Sequence, residues 1–169
     1  MGVPAAVPKE PRHLRPAASE TSVAFDELDR QILQLLQTDG RIKLSELGRR
    51  VRLSPAAVTE RVRRLEAAGV ISGYGAHVVP GRLGYGIQAF IRVNPHGGYN
   101  LKHPRTLELI ERPEIIEVHH AVGEDCWILK VAVRDTVHLE EVLEQVSALG
   151  RTTTSIVLTS PVERKPLLP

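Results

Sequence analysis

The apolar positions along this chain keep a helical period over its first half and a period of two over much of its second. In residues 26–38, Leu28, Ile32, Leu35 and Leu36 recur at intervals of four, three and one, one stripe along a helix. Asp26, Glu27 and Asp29 stand where the positive end of the helix dipole favours carboxylates, and Gly40 marks the stop. A second short helix is predicted over 45–51, with Ser45 as its N-cap and Leu44, Leu47 and Val51 as apolar positions. Arg52-Leu53 makes the turn. Ser54-Pro55 then restarts a helix over 55–68. Ser54 caps it, and Pro55 takes the first helical position, where a missing N–H costs nothing. Val58, Val62 and Leu65 form its inner stripe, and Gly69 closes it. Ile71 to Val79, interrupted by Gly73 and Gly75, reads as an extended wing or linker.

Beyond residue 85 strands and helices alternate. Ile87, Ala89, Ile91 and Val93 alternate with Gln88, Phe90 and Arg92, the period of a strand. Pro104 opens a short helix over 104–112, and β-branched runs follow at 115–122 and 126–133. Asp135 or Thr136 caps a helix whose apolar face is Leu139, Val142, Leu143, Val146 and Leu149, with Gly150 as its stop, and 152–159 is a last strand. The order β-α-β-β-α-β is the ferredoxin-like pattern. The expected fold is therefore α+β, an N-terminal winged helix-turn-helix followed by a ferredoxin-like domain. The expected divisions are a disordered tail over 1–24, which holds Pro4, Pro8, Pro11 and Pro16, and a helix-turn-helix domain over 25–73. A linker strand follows over 74–84, the second domain over 85–161 and a C-terminal tail over 162–169.

Charge sharpens this division. From Arg41 to Arg64 there are eight Lys/Arg against two acids, whereas Tyr85 to Ser160 carries seven against ten. A basic first half favours a polyanion. Aromatic residues make up only 4% of the chain, which argues against reading bases by stacking. No apolar run is long enough for a membrane span and no secretory h-region is present, and the lone Cys126 suits a reducing compartment. These features predict a cytoplasmic protein with no membrane partner.

Two short helices joined by a tight turn behind a supporting helix make a helix-turn-helix, whose second helix enters the major groove. With Val58, Val62 and Leu65 inward, helical geometry turns Ala56, Glu60, Arg63 and Arg64 outward and puts Ala57 and Thr59 at the flanks. Small Ala56 and Ala57, behind the capping Ser54, let the helix N-terminus approach base edges. Thr59 and Glu60 can hydrogen-bond bases, Glu60 most naturally a cytosine amino group. Arg49, Arg50, Arg52 and Arg61 are expected on phosphates, which position without specifying. A merely solvated basic face is the competing reading, and the coincidence of motif and charge favours double-stranded DNA.

These residues resemble a known family. Asp26-Glu27-Leu28-Asp29-Arg30-Gln31-Ile32-Leu33 is similar to the opening of the Lrp/AsnC (feast/famine) regulators, and 53–66, Leu-Ser-Pro-Ala-Ala-Val-Thr-Glu-Arg-Val-Arg-Arg-Leu-Glu, resembles their recognition helix. Gly69 to Tyr74, Pro113 to Val118, Val122 to Asp125 and Thr152 to Leu158 continue the resemblance in order over about 25–160. It implies a ferredoxin-like βαββαβ effector-binding (RAM) domain, homodimers that assemble into tetramers or octamers, and an amino acid or related small molecule bound between subunits. It implies control of metabolic genes. No cofactor and no catalysis are expected. The resemblance places the effector near the turn Gly123-Glu124-Asp125. Gly123 admits close backbone approach, two carboxylates suit an α-ammonium group, and Thr152, Thr153 and Thr154 offer hydroxyls. An ordinary acidic hairpin is the plainer reading of the same turn. Many relatives carry Asp directly before the aromatic that opens the central strand. Here Cys126 precedes Trp127 and Asp125 comes one residue early, so leucine is not implied as effector.

The chain also supports other readings. An architectural, chromatin-like DNA-binding protein would need no effector, and a ferredoxin-like half can host an enzyme or another binding module. His119 and His120, with His96 and His103, suggest a metal, but neighbours on a strand face opposite ways. No phosphate-binding glycine loop or Ser-His-Asp arrangement is present, and Cys126 and Trp127 read as core. In the 126–133 strand, Trp127, Leu129, Val131 and Val133 suit a helix-covered face. Cys126, Ile128 and Ala132 leave the other too apolar to stay wet, which predicts a homodimer packed through that face.

Overall fold

The computed structural model describes residues 24–97 and 102–167, so the N-terminal tail expected over 1–24 lies, apart from Ala24, outside the described residues. Two compact units are formed, one by residues 24–77 with 162–167 and the other by 78–97 with 102–161.

The first unit holds α1 (Glu27–Thr38), α2 (Leu44–Val51) and α3 (Pro55–Ala67). Asp26 starts α1 through a reciprocal capping box. Its carboxylate accepts from the Asp29 N–H at 2.8 Å, and its own N–H donates to the Asp29 carboxylate at 3.3 Å. Ser54 caps α3 by accepting from the Ala57 N–H, as expected. The expected Ser45 cap is corrected. The Lys43 carbonyl already accepts from the Leu47 N–H at 2.9 Å, so the helix begins earlier and Ser45 lies in its first turn. The stripes Ile32 and Leu33, Leu47 and Val51, and Val58, Val62 and Leu65 close one core. Gly48 lets α2 meet the chain entering α3, because a Cβ there would stand 2.7 Å from the Leu53 carbonyl oxygen. The C-terminal residues return to this unit. The Gln37 carboxamide pairs with the Leu167 backbone in both directions at 2.8 Å, and Arg164 lies 3.3 Å from His77.

No strand forms between Ser72 and Val79, so the segment expected as a wing or linker strand is irregular and has no β partner. A strand needs a neighbour to satisfy its backbone groups, and the four paired strands of the sheet do not include this segment. A 3-10 turn follows at Pro80–Leu83.

The second unit is a four-stranded antiparallel sheet in the order β2-β3-β1-β4, with β1 (Ile87–Pro95), β2 (Ile115–His120), β3 (Trp127–Val133) and β4 (Gly150–Ile156). Helices α4 (Pro104–Ile110) and α5 (Thr136–Ser147) supply Leu109, Leu139, Val142 and Val146 to the core beneath Ala89, Ile91, Val93, Trp127, Leu129, Val131 and Val133. Asp135 caps α5 through the His138 N–H at 2.8 Å. Beneath that cap, buried Glu114 takes bonds from His138 at 3.0 Å and Arg112 at 3.1 Å, tying the start of β2 to α5. Burial pushes the Glu114 carboxyl up, but its hydrogen bonds, Arg112 first, outweigh that and hold it below the ordinary carboxylate range.

The expectation that Gly150 stops α5 is also corrected. Gly150 opens β4, and a Cβ on it would stand 2.1 Å from the Asn94 carbonyl oxygen across the β1–β4 pair. Gly48→Ala and Gly150→Ala should therefore each destabilise the chain by about 1–3 kcal/mol, the usual range for forcing extra volume into a packed site. Urea unfolding measures both, and changes near zero would show that these backbones can separate cheaply.

Candidate nucleic-acid interface and effector hairpin

The helix-turn-helix is assembled from the inside out. Val58, Val62 and Leu65 are buried, so the outer ridge of α3 is Ala56, Glu60 and Arg63, all exposed, with Thr59 half-buried beside them. The Thr59 hydroxyl donates to the Pro55 carbonyl at 2.7 Å, which leaves it an acceptor toward anything outside. The exit from α3 is fixed by Tyr74, whose hydroxyl donates to Glu66 at 3.0 Å. Partial burial and Glu66 push that phenol up to about 12.

The basic residues do not form one equivalent set. Arg49 and Arg50 both bind Glu46, each at 2.8 Å, and hold its carboxyl down at about 2. Glu46 is thus charged throughout the neutral range, and this trio carries one net positive charge. Arg61 donates to Asp26 at 2.7 Å and to Asp29 at 2.8 Å, and Arg64 donates to Asp29 at 2.5 Å. The Asp26 carboxyl is lowered, mainly by the Asp29 N–H and then by Arg61. Arg61, expected on phosphate, and Arg64, expected to face outward, thus carry ion pairs within the unit; Arg64 does face solvent, with its side chain 51% exposed, while its guanidinium ends on Asp29. Both lie on the flank of α3 that faces α1, where two carboxylates capture them. Arg52 and Arg63 are exposed and make no hydrogen bond or ion pair among the described residues. Arg52 ends α2 in the left-handed conformation at φ 57°, within the turn itself.

In the second unit, the Ala121 N–H donates to the Cys126 carbonyl at 2.7 Å and closes the hairpin between β2 and β3. Gly123 at its tip has φ 143°. Glu124 is exposed and Asp125 half-buried, and neither carboxylate is paired among the described residues. The three threonines do not share a face. Thr152 and Thr154 stand opposite Val93 and Ile91 on the helix-covered side, while Thr153 stands opposite Arg92 on the open side. Thr152 is in line with Val93 and Trp127, at the hairpin's end of the sheet but two strands from β3, roughly 10 Å at ordinary strand spacing. One chain therefore does not bring these hydroxyls onto the hairpin carboxylates. A cavity under α4, lined by Val93, Thr106, Leu109, Trp127 and Leu149, holds about 10 Å³. That is room for about one water, far below the several hundred Å³ of typical ligand sites.

The open sheet face is mixed rather than apolar, which corrects the expectation drawn from Cys126, Ile128 and Ala132. Lys130 pairs with Glu117 at 3.1 Å and lies 6.0 Å over the Phe90 ring, with Arg92 alongside. His119 faces Ile128 and binds Glu117, whereas His120 packs on Trp127, so the two histidines point apart. Among the described residues no three His, Cys, Asp or Glu side chains cluster as metal ligands, and no helix is long and apolar enough to cross a membrane.

Residues 25–66 match the AsnC-type helix-turn-helix domain, and residues 88–167 match the Lrp/AsnC ligand binding domain. The chain is 38% identical over 138 residues to the HTH-type transcriptional regulator LrpA of Mycobacterium tuberculosis, covering 80% of this chain and 91% of that one. Among solved structures it resembles the feast or famine regulatory protein of M. tuberculosis complexed with L-methionine. The TM-score is 0.77 at 34% identity, covering 86% of this chain and all of that one. It likewise resembles a Neisseria meningitidis transcriptional regulator in complex with L-methionine, with a TM-score of 0.78 at 28% identity over 85% of this chain and 96% of that one.

Arg52 allows stability and DNA binding to be separated in one substitution. Arg52→Gly removes a side chain from a left-handed position and should stabilise the fold by about 1 kcal/mol. The same change should weaken binding to any duplex and reduce the salt slope by about 0.9 for each phosphate that is no longer neutralised. Thermal unfolding and salt-dependent anisotropy read the two effects. A more stable variant with unaltered DNA binding would remove Arg52 from the interface.

Proposed function

The chain belongs to the Lrp/AsnC family of transcription regulators, and on that premise we propose that it reads specific double-stranded DNA with residues 54–63 while an amino acid at the 123–125 hairpin sets its assembly and DNA affinity. The observation that carries this reading is the exposed ridge Ala56, Glu60 and Arg63 on a helix whose other flank is pinned to α1, in one chain with a ligand-binding domain. In this reading Ala56 and Ala57 allow close approach. Thr59 accepts from a base amino group, Glu60 accepts from cytosine, and Arg63 donates to guanine or phosphate. Arg52 and the net charge of the Arg49–Arg50–Glu46 trio steer and position the helix on phosphate.

The effector half follows the same logic. Glu124 and Asp125 are uncommitted carboxylates beside a turn whose backbone a ligand can approach, and they suit an α-ammonium group. L-methionine is the first candidate, because two similar structures are complexes with it. The threonines stand too far away within one chain, so a second subunit completes the pocket. The unpaired segment with exposed Val78 and Val79, and exposed Leu83 in the 3-10 turn after it, support a homodimer, and further assembly into tetramers or octamers would bring hairpins together.

In vitro selection with the full chain should return discrete sites, and Glu60→Ala should relax preference at one base position by about tenfold, near the lower end of a good base contact. Long, sequence-indifferent protection would favour the architectural reading instead. Asp125→Asn should weaken L-methionine binding at least tenfold by calorimetry while leaving ligand-free DNA affinity unchanged, the effect expected of removing a charge-assisted bond. Asp125 is preferred over Gly123 for this test, because φ 143° strains any side chain at Gly123. Parent-like methionine binding by the variant moves the pocket elsewhere, and a monomer by light scattering at micromolar concentration contradicts the dimer.

A further inference from the structure

α3 carries three arginines within four residues, and the structure sorts them by partner. Arg61 and Arg64 lie one turn apart on the flank facing α1, and both end on Asp29, one on each carboxylate oxygen. Asp29 has no exposed surface, and the Asp26 N–H supplies a third donor to it. Asp26 takes a second bond from Arg61. Arg63, between them in sequence, points about 160° from Arg61 by helical geometry and has no partner among the described residues. The headgroup of Arg64 is committed although its side chain is 51% exposed.

Resting on the DNA-reading function above, we propose that Asp29, assisted by Asp26, is a selectivity-determining positioning residue: it withholds Arg61 and Arg64 from phosphate, so that the recognition helix meets DNA with Arg63 as its one uncommitted arginine. Because Arg61 and Arg64 lie on the flank facing α1, once released they would reach phosphate best in loosely docked complexes whose pose no base contact fixes, and each such contact steepens the salt dependence. Biological discrimination depends on the ratio of specific to non-specific binding, which two further phosphate contacts would lower. The carboxylates therefore do two things. They fix the rotation of α3 about its axis, which decides the residues that face bases, and they keep two charges out of sequence-indifferent binding. The bland alternative is a stabilising helix-helix ion pair whose arginines still reach the backbone of a bound duplex.

The test is binding of the full chain to a random-sequence duplex and to its selected site over about 50–200 mM salt, where phosphate contacts show in the slope. Arg63→Met should weaken binding and reduce the slope, whereas Arg64→Met, which leaves Arg61 holding Asp29, should change neither. Asp29→Asn keeps the shape but removes the charge. It should raise random-duplex affinity about tenfold, steepen the slope by up to about 0.9 for each arginine released, and lower the ratio of specific to random binding. A reduction of slope in Arg64→Met equal to that in Arg63→Met overturns the proposal. So does a folded Asp29→Asn protein, by circular dichroism, with parent-like slope and ratio. If Asp29→Asn does not fold, the Arg63 and Arg64 pair decides alone. A parent chain that binds no duplex contradicts the proposed function and the inference with it, whereas the Arg64 result contradicts the inference alone.

Discussion

A carboxylate with no exposed surface, that of Asp29, is what the DNA-binding unit is organised around. An ionised group can be buried only if its lone pairs are occupied by strong donors, and here the donors are two guanidinium groups and a backbone N–H. The guanidiniums come from α3 and the N–H from the cap of α1, so one anion fixes the start of one helix and the rotation of another. The apolar stripes that close the core would tolerate small rotations of α3. The two ion pairs tolerate much less, because hydrogen-bond geometry is directional. Which side chains reach outward from the recognition helix is therefore set by an interaction on its far flank.

Much of this molecule was legible in its sequence, for identifiable reasons. Ser54-Pro55 at the head of α3, Asp135 before α5 and the inward alternation Trp127, Leu129, Val131 and Val133 are local signals, and the structure has them in those roles. What sequence reading missed depends on contacts distant in the chain. Arg61 and Arg64 looked like interface charges because the carboxylates that capture them lie more than thirty residues earlier. The one available signal was Asp29, an acid at a position on α1 facing the same way as Ile32 and Leu33. Gly150 looked like a helix stop because its constraint comes from Asn94 across the sheet. The threonines looked like one cluster because three consecutive hydroxyls ignore the alternation of a strand. Of the candidate site, the outer ridge of α3 followed from helical period alone, whereas the division of labour among the arginines did not.

Other polar groups of the chain lack the internal partners that Asp29 has. The segment after α3 is apolar in places yet pairs with no strand, and the hairpin carboxylates stand without cations among the described residues. Both are left to water in one chain, and under the proposed function the first would meet another backbone and the second a ligand or another subunit. An effector that supplies one of these partners shifts assembly only by binding one state more tightly than another. The DNA-binding unit, by contrast, satisfies its buried charges internally.

The central claim is that Asp29 and the recognition helix are energetically coupled, and a double-mutant cycle measures that directly. Urea unfolding of the full chain, of Asp29→Asn, of Arg61→Met and of the double variant gives the coupling energy. A value of at least about 1 kcal/mol is expected, because losing Arg61 leaves the buried Asp29 charge underpaired, whereas the same loss in Asp29→Asn leaves no buried charge behind. Single effects that simply add, with a coupling indistinguishable from zero, would contradict it.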